Sequence, residues 1–175
     1  MRARVVGIVG GSSVSREVLE TARLVGKMVA KNQWILVNGG RMEGVMDASA
    51  AGAAAEGGLV IGILPGAGSA GASGSLTVSI VTGMGDARNC IIALTSEVII
   101  AFPGRGGTLS EIAMALKNNR PVVCLGIDPG ISFNEYRKSG ILVDARSPQD
   151  AIEKVKHFFR VTSQQQSSGP SFLRD

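Results

Sequence analysis

The sequence predicts an α/β fold: a single Rossmann-like domain with a doubly wound, mainly parallel sheet and helices on both faces. Seven short apolar runs rich in β-branched residues alternate with helical patterns. Several of the runs are continuously apolar, which is typical of parallel strands that are buried on both faces. The 175 residues fall within the usual ~100 to 200 of one domain. We therefore expect one domain over residues 1–162 and a polar, flexible tail over residues 163–175.

The elements follow one another in a regular βα order. Apolar, β-branched runs predict strands at residues 4–9, 34–37, 59–64, 78–81, 97–102, 121–125 and 141–143. Apolar residues at helical spacing predict helices at residues 16–31, 43–56, 87–96, 109–118 and 148–159. Right-handed crossovers put the ligand crevice of such a sheet outside the carboxyl ends of its strands. Functional residues are therefore expected in the strand-to-helix loops.

The composition excludes several classes of protein. With 45% hydrophobic and 18% charged residues, the chain is too apolar for intrinsic disorder. Aromatic residues make up only 4%, so a base-stacking surface, and with it nucleic-acid binding, is not expected. No apolar run approaches the ~18 residues that span a bilayer, so no membrane association is expected. The formal charge of +4 is scattered, and a small anionic ligand explains it as well as nucleic acid does.

The two cysteines indicate a reducing compartment. Cys90 and Cys124 are far apart in the sequence, in segments that are predicted to be a helix and a central strand. Reduced, buried thiols are expected at such positions. A cytoplasmic protein follows from this expectation.

Five loops after strands are rich in glycine. They read GGSSVS, NGGRMEG, PGAGSAGASGS, TGMGD and PGRGGT, and begin at residues 10, 38, 65, 82 and 103. For any one loop a tight turn is an equal explanation, but together the loops favour a close approach of the backbone to a ligand. The third loop is either a mobile flap or a disordered insertion. The candidate ligand-binding residues of the first two loops are Gly10, Gly11, Ser12, Gly39 and Gly40.

Several catalytic signatures are missing. The sequence has no GxxxxGK[ST] or GxSxG motif, and its first strand leads into GIVGGSS where the usual dinucleotide site has GxGxxG. These departures argue against P-loop ATP hydrolysis, serine hydrolase chemistry and the usual dinucleotide site. Its only histidine, His157, lies on the last predicted helix, away from the loops. Neither a metal centre nor a required cofactor is expected.

The fifth loop carries the strongest local signal. Its glycines expose amides where a helix is predicted to begin, and such amides, with the helix dipole, form an anion site. The alternative is a capping box between Thr108 and Glu111, which the spacing alone favours. The candidate anion ligands are Gly104, Arg105, Gly106, Gly107 and Thr108.

Arg88 favours the anion site. Asp86 is a natural N-cap that would put Arg88 in the first helical turn, where a cation opposes the dipole by ~0.3 to 1 kcal/mol. Such a cation needs a partner, either an anionic ligand at the neighbouring helix or Glu111 itself. The alternative is an arginine that lies outward over solvent.

Together these residues resemble the Lonely Guy (LOG) superfamily, whose members are often mislabelled lysine decarboxylases, and the related molybdenum cofactor carrier proteins. The family motif PGGxGTxxE, which binds a nucleotide phosphate and supplies a catalytic glutamate, matches Pro103, Gly104, Gly107, Thr108 and Glu111.

Further matches extend the resemblance over nearly the whole chain apart from the tail. A catalytic arginine that stands fifteen positions before the proline corresponds to Arg88. The sequences GGSS at 10–13, GG with GVM at 39–46 and IGILP at 61–65 also match.

Two departures from the enzymes favour the carrier branch. Arg105 replaces the second glycine of the motif, and the residues around Arg88 read GDARNC where the enzymes have HERK. The resemblance thus implies a carrier of a phosphate-bearing ligand, an AMP-like nucleotide or the pterin molybdenum cofactor, and a homodimer. The alternative is a phosphoribohydrolase that releases free base from nucleoside 5′-monophosphates, with Arg88 and Glu111 as its catalytic residues. Single-stranded DNA binding is a distant third, and lysine decarboxylation is rejected because no lysine lies near the loops.

Overall fold

The computed structural model of the chain describes residues 3–167. Seven strands form one sheet in the order β4-β3-β2-β1-β5-β6-β7, and every pair is parallel. This arrangement confirms the predicted fold class. The strands are β1 Val5–Val9, β2 Ile35–Asn38, β3 Val60–Leu64, β4 Val78–Val81, β5 Val98–Ala101, β6 Val122–Leu125 and β7 Leu142–Ala145.

Six α-helices connect and follow the strands. Within residues 3–167, no helix combines the length and the apolar character needed to cross a membrane. Two short 3-10 helices, Gly85–Arg88 and Ile131–Phe133, precede α3 and α5. The helices are α1 Arg16–Lys31, α2 Gly44–Ala54, α3 Asn89–Thr95, α4 Gly106–Lys117, α5 Asn134–Lys138 and α6 Pro148–Ser167.

The sheet separates two apolar cores, as alternate strand residues point to opposite faces. On one face α1, α2 and α6 pack over residues such as Val6, Ile8 and Ile100. On the other face α3, α4 and α5 pack over residues such as Ile99 and Val122. The central strands β1 and β5 are buried throughout, which explains why their sequences are continuously apolar.

Helices α1 and α2 cross at unusually short range through two glycines. A Cβ at Gly26 would lie 2.0 Å from the carbonyl oxygen of Ser49, and a Cβ at Gly52 would lie 1.9 Å from that of Arg23. No real Cβ contact is this short, so the crossing requires glycine at both positions. The close packing fixes α2, and with it the β2–α2 loop, relative to the first strand.

The third glycine-rich loop is not a disordered insertion. Arg41 and Ala72 form an isolated antiparallel bridge, with the Met42 amide donating to Gly71 at 2.9 Å and the Ser73 amide donating to Gly40 at 2.8 Å. These bonds tie the third loop to the β2–α2 loop. Sequence reasoning missed them because they join residues that are about thirty positions apart.

The C-terminal helix is longer than its sequence pattern predicts. It was expected to end at residue 159, but α6 continues to Ser167, past the expected start of the tail. Arg4 supports the extension by donating hydrogen bonds to the Phe159 carbonyl and the Ser163 hydroxyl. The rest of the expected tail, residues 168–175, lies outside the described residues.

Two shorter elements also differ from expectation. The helix expected at residues 87–96 is a 3-10 turn, Gly85–Arg88, followed by the seven-residue α3. Helix α5, NEYRK, has only five residues and only one apolar side chain, Tyr136, too short a stretch to show helical periodicity.

We predict that Gly52→Ala destabilises the fold. Alanine is favoured over glycine in a helix by about 0.5 to 1 kcal/mol, but here the added carbon meets a backbone carbonyl that cannot rotate away. Overpacking of this kind typically costs about 1 to 3 kcal/mol, so the net change should lower the melting temperature by several degrees. The matched control is Gly74→Ala, where the added carbon has no neighbour within 4 Å. Equal melting temperatures for the two variants would contradict this account of the crossing.

Candidate functional site

A cleft of about 290 Å³ opens at the carboxyl ends of the central strands. It lies between β1 and β5, where the strand order reverses, which is the position that ligands occupy in open α/β sheets. Two of the twelve site residues expected from the sequence, Gly40 and Gly106, do not line it. The ten that do are Gly10, Gly11, Ser12, Gly39, Arg88, Gly104, Arg105, Gly107, Thr108 and Glu111.

The first and fifth loops form one wall of the cleft by packing directly together. The Gly11 amide donates to the Pro103 carbonyl at 2.8 Å. A Cβ at Gly104 would lie 2.1 Å from Thr108 Oγ1, and one at Gly10 would lie 2.7 Å from Val45 Cγ2. Gly10 and Gly104 are thus required for packing, whatever else their backbones contact.

The conformation of the second loop is held by the side chain of Asn38, which is fully buried. Its Oδ1 accepts the Gly40 amide at 2.8 Å, and its Nδ2 donates to the Met46 carbonyl at 2.8 Å. Gly40 has a positive φ of 72°, a conformation that favours glycine. Gly39 has a different role, because a Cβ there would lie 2.2 Å from Arg88 Nη1. Of the two glycines that were expected to bind a ligand, Gly40 therefore forms a turn and Gly39 leaves room for the Arg88 guanidinium.

Helix α4 begins earlier than the sequence predicted, so the capping box is wrong. Arg105 is the N-cap residue, with an extended backbone and no side-chain capping bond, and the first intrahelical bond runs from the Leu109 amide to the Arg105 carbonyl at 3.0 Å. Thr108 is therefore the third residue of the helix. The amides of Gly106, Gly107 and Thr108 precede that first bond and have no acceptor within the helix. They form the positive end of the helix dipole beside the cleft.

Arg88 lies inside the protein, so the alternative of an arginine over solvent is wrong. It is the last residue of the 3-10 turn and only 8% exposed. Its Nη1 donates to the Ile63 carbonyl at 2.8 Å. Among the side chains that the structure describes, Arg88 Nε is the one buried nitrogen or oxygen without a hydrogen-bond partner. Asp86 is not the N-cap of α3, because it lies within the 3-10 turn.

Glu111 faces the same cleft and is only 7% exposed. Within the described part of the chain, neither Glu111 nor Arg88 takes part in an ion pair shorter than 4.0 Å. Burial raises the pKa of Glu111 to about 8, although the charge of Arg88 acts in the opposite direction. Burial also lowers the pKa of Arg88, against the charges of Glu111 and Asp86. At neutral pH the cleft thus contains a protonated carboxyl group beside a buried cation.

Sequence reasoning missed several residues of the cleft wall. Arg41 and Glu43, from the second loop, form an ion pair at 2.6 Å at its rim. Asn89 donates to the Ser110 hydroxyl at 3.1 Å, and Ser110 donates to the Gly107 carbonyl at 2.7 Å, which links α3 to the first turn of α4. The charged sequence RME within a glycine-rich loop was a usable signal for the first pair, whereas the second link is not visible in the sequence.

The cysteines lie away from the cleft wall. Both are free thiols; Cys124 is buried, whereas Cys90 is only half-buried. Burial raises the pKa of Cys124 to about 12, so its thiol stays protonated. Within residues 3–167, no group of three or more His, Cys, Asp or Glu side chains has an arrangement that could hold a metal ion.

Comparison with known proteins places this fold and cleft in a family. The sequence profile of the SLOG cluster4 family matches residues 3–152. The chain belongs to the SLOG cluster4 family. An uncharacterized protein from Archaeoglobus fulgidus is 40% identical to this SLOG cluster4 protein over 125 residues, which are 71% of this chain and 82% of that protein.

Solved structures similar to the SLOG cluster4 protein include molybdenum cofactor proteins. The molybdenum cofactor binding protein from the phototrophic bacterium Rippkaea orientalis is 38% identical, with a TM-score of 0.83 over 91% of this chain and 99% of that one. The molybdenum cofactor carrier protein from Chlamydomonas reinhardtii gives the same identity, coverage and TM-score. These matches support the LOG-like superfamily and the carrier branch that the sequence motifs indicated.

We predict that the Glu111 carboxyl makes the stability of this protein fall as pH rises. The pKa of a glutamate is ~4.3 in an unfolded chain but about 8 here, so between these values the folded state holds a proton that the unfolded state has released. The free energy of unfolding should therefore fall with pH, by at most about 1.4 kcal/mol per unit, and level off above pH 8.

Denaturant unfolding of the parent and Glu111→Gln between pH 5 and 9 measures this effect. The glutamine variant should lose less stability over that range, because it has no proton to release. Glu153→Gln removes an exposed carboxylate on α6 and should keep the parental slope. Parallel curves for the parent and Glu111→Gln would show that the buried carboxyl is not the source.

Proposed function

We propose that this protein binds and carries a phosphate-bearing ligand, either an AMP-like nucleotide or the pterin molybdenum cofactor. One observation carries the proposal: Arg88, a buried cation without a counter-ion within the described residues, lines the same cleft as Gly107 and Thr108, whose amides have no acceptor within α4. A buried cation without a negatively charged partner is costly, and an anion is the group that would compensate its charge. The similarity to molybdenum cofactor binding and carrier proteins supports the same role.

The cleft has both parts that such a ligand needs. Donors suited to a phosphate are present at the first turn of α4, with the Thr108 hydroxyl and the exposed Arg105 beside it. Apolar side chains suited to a flat ring come from Val9, Met46 and Pro65. The volume of about 290 Å³ is just below the ~300 to 1,000 Å³ typical of ligand sites, which suits a ligand as small as a mononucleotide or a pterin phosphate.

A carrier role requires binding and release without turnover. In this proposal the α4 amides and Thr108 hold the phosphate, Arg88 neutralises charge from within the protein, and the molybdenum, where the cofactor is bound, is cargo. The cytoplasmic localisation and the homodimer implied by the family resemblance stay predictions. So does the absence of a required cofactor.

The second candidate is a phosphoribohydrolase, and the Glu111 carboxyl is the observation that favours it. A carboxyl group with a pKa of about 8 could protonate a departing base, as the general acid does in glycoside hydrolysis. The phosphate would occupy the same position as in the first proposal. The candidate ranks second because Arg105 stands where the enzymes have glycine.

We predict that AMP raises the melting temperature of the parent and that Thr108→Val weakens this effect. A ligand that binds only the folded state stabilises it by about 2.7 kcal/mol at a hundredfold excess over Kd. Loss of a hydroxyl bond to a charged ligand costs about 1.5 kcal/mol or more, hence at least a ~10-fold rise in Kd. Valine has nearly the same shape as threonine and should preserve the buried packing.

Titrations with AMP, followed by thermal shift and calorimetry, give the Kd of the parent and that of Thr108→Val. Thr21→Val is the matched control, because it removes an exposed hydroxyl on α1 that bonds only to the Glu17 carbonyl. It should bind AMP as the parent does. If Thr108→Val also binds like the parent, the phosphate is not held at the start of α4.

A turnover assay separates the two candidate functions. Under the carrier proposal, the parent should release no adenine from AMP above the background rate, measured by chromatography. Robust release by the parent that falls ~10² to 10⁴-fold in Glu111→Gln, as expected for loss of a positioned acid, would promote the phosphoribohydrolase to first place.

A further inference from the structure

Among the described residues, two buried ionisable groups in the cleft, Arg88 and Glu111, lack an oppositely charged partner within ion-pair distance. Arg88 is 8% exposed and Glu111 is 7% exposed, and both line the same cleft. Arg88 uses Nη1 to bind a backbone carbonyl, which is neutral, so its charge is not balanced there. Within the described residues, no ion pair joins it to Glu111 or to another carboxylate.

We propose that Glu111 is a proton-operated gate for the anion site, which binds its ligand while the Glu111 carboxyl is protonated and releases it when that carboxyl ionises. The inference rests on the proposed anion site and adds its regulation. With Glu111 neutral, Arg88 leaves one uncompensated positive charge in the cleft. With Glu111 ionised, the two charges cancel, and an incoming anion meets a carboxylate that is only 7% exposed to solvent.

The other charged side chains of the cleft cannot take over the proposed role of Glu111. On one rim Arg41 and Glu43 neutralise each other at 2.6 Å. Arg105 and Asp86 are exposed to solvent, which screens their charges. The charged side chains that line the cleft with Glu111 are Arg41, Glu43, Asp86, Arg88 and Arg105. Of these, only Arg88 is buried, so Glu111 is the acid whose ionisation most changes the charge that the anion experiences.

Linkage sets the sign and size of the effect. If binding requires a protonated carboxyl, Kd is constant below the pKa of that carboxyl and rises ~10-fold for each pH unit above it. The burial of Glu111 puts this break near pH 8. Binding above the break must also take up a proton, approaching one proton per anion bound.

Sulfate is the probe, because it remains a dianion throughout the range and its own titration cannot produce a break. Its Kd is measured by calorimetry from pH 6.5 to 9.5, in two buffers with different ionisation enthalpies so that proton uptake is counted. AMP, which is fully ionised above pH 7.5, serves as a second probe. The parent is compared with Glu111→Gln, which keeps the shape of the side chain but cannot ionise, and with Glu153→Gln, an exposed site on α6.

The expected result is a break near pH 8 in the parent and in Glu153→Gln, with proton uptake above it. Glu111→Gln should bind sulfate with a nearly constant Kd and without proton uptake. A flat profile in a parent that binds sulfate would overturn the gate and leave the anion site intact. A break that persists unchanged in Glu111→Gln would assign the titration to another group and would also overturn it. No sulfate or AMP binding at pH 6.5 by the parent or Glu111→Gln would overturn the anion site, and the gate with it.

Discussion

The buried guanidinium of Arg88 is the constraint that the cleft is built around. A cation that is only 8% exposed is retained only where the surrounding structure holds it in place. Here that support is the Ile63 carbonyl at 2.8 Å and the missing Cβ of Gly39, which leaves room for the guanidinium nitrogens. The surroundings supply no acceptor for Arg88 Nε. Arg88 thus keeps an unused hydrogen-bond donor beside the crevice that opens where the strand order reverses.

The parallel sheet explains why residues far apart in sequence reach this guanidinium. With β1 and β5 as neighbours and the order reversing between them, loops from both halves of the chain converge at one edge of the sheet. Glycines then let the loops approach closely, as at Gly11 and Gly104, where backbones are in contact. Of the seven candidate glycines, Gly10, Gly11 and Gly104 make the tight contacts between these loops, whereas Gly107 supplies a backbone amide at the start of α4.

Local signals in the sequence predict the parts of the fold that depend on local forces. Helix α1 was predicted with the bounds observed, since Ser15 caps its start and its apolar face is periodic. Long-range contacts decided features that the sequence did not show. The bridge between Arg41 and Ala72 joins two loops, and the burial of Arg88, which donates to the Ile63 carbonyl, also depends on residues that are distant along the chain. Ten residues of the cleft were therefore predictable from loop composition and family motifs, whereas Arg41, Glu43 and Asn89 were missed.

The absence of an ion pair between Arg88 and Glu111 also bears on the function of the cleft. A buried ion pair between Arg88 and Glu111 would satisfy both groups and leave an anion little to gain, because binding would have to displace the carboxylate. The two side chains instead line the cleft without pairing. Burial raises the pKa of the Glu111 carboxyl to about 8, so the carboxyl stays protonated below that pH. A proton on Glu111 and an anion near Arg88 are then cooperative, since each relieves the charge imbalance that the other leaves. In the proposed anion site, the affinity for the anion therefore depends on Arg88 and Glu111 together, and ionisation of Glu111 would favour release.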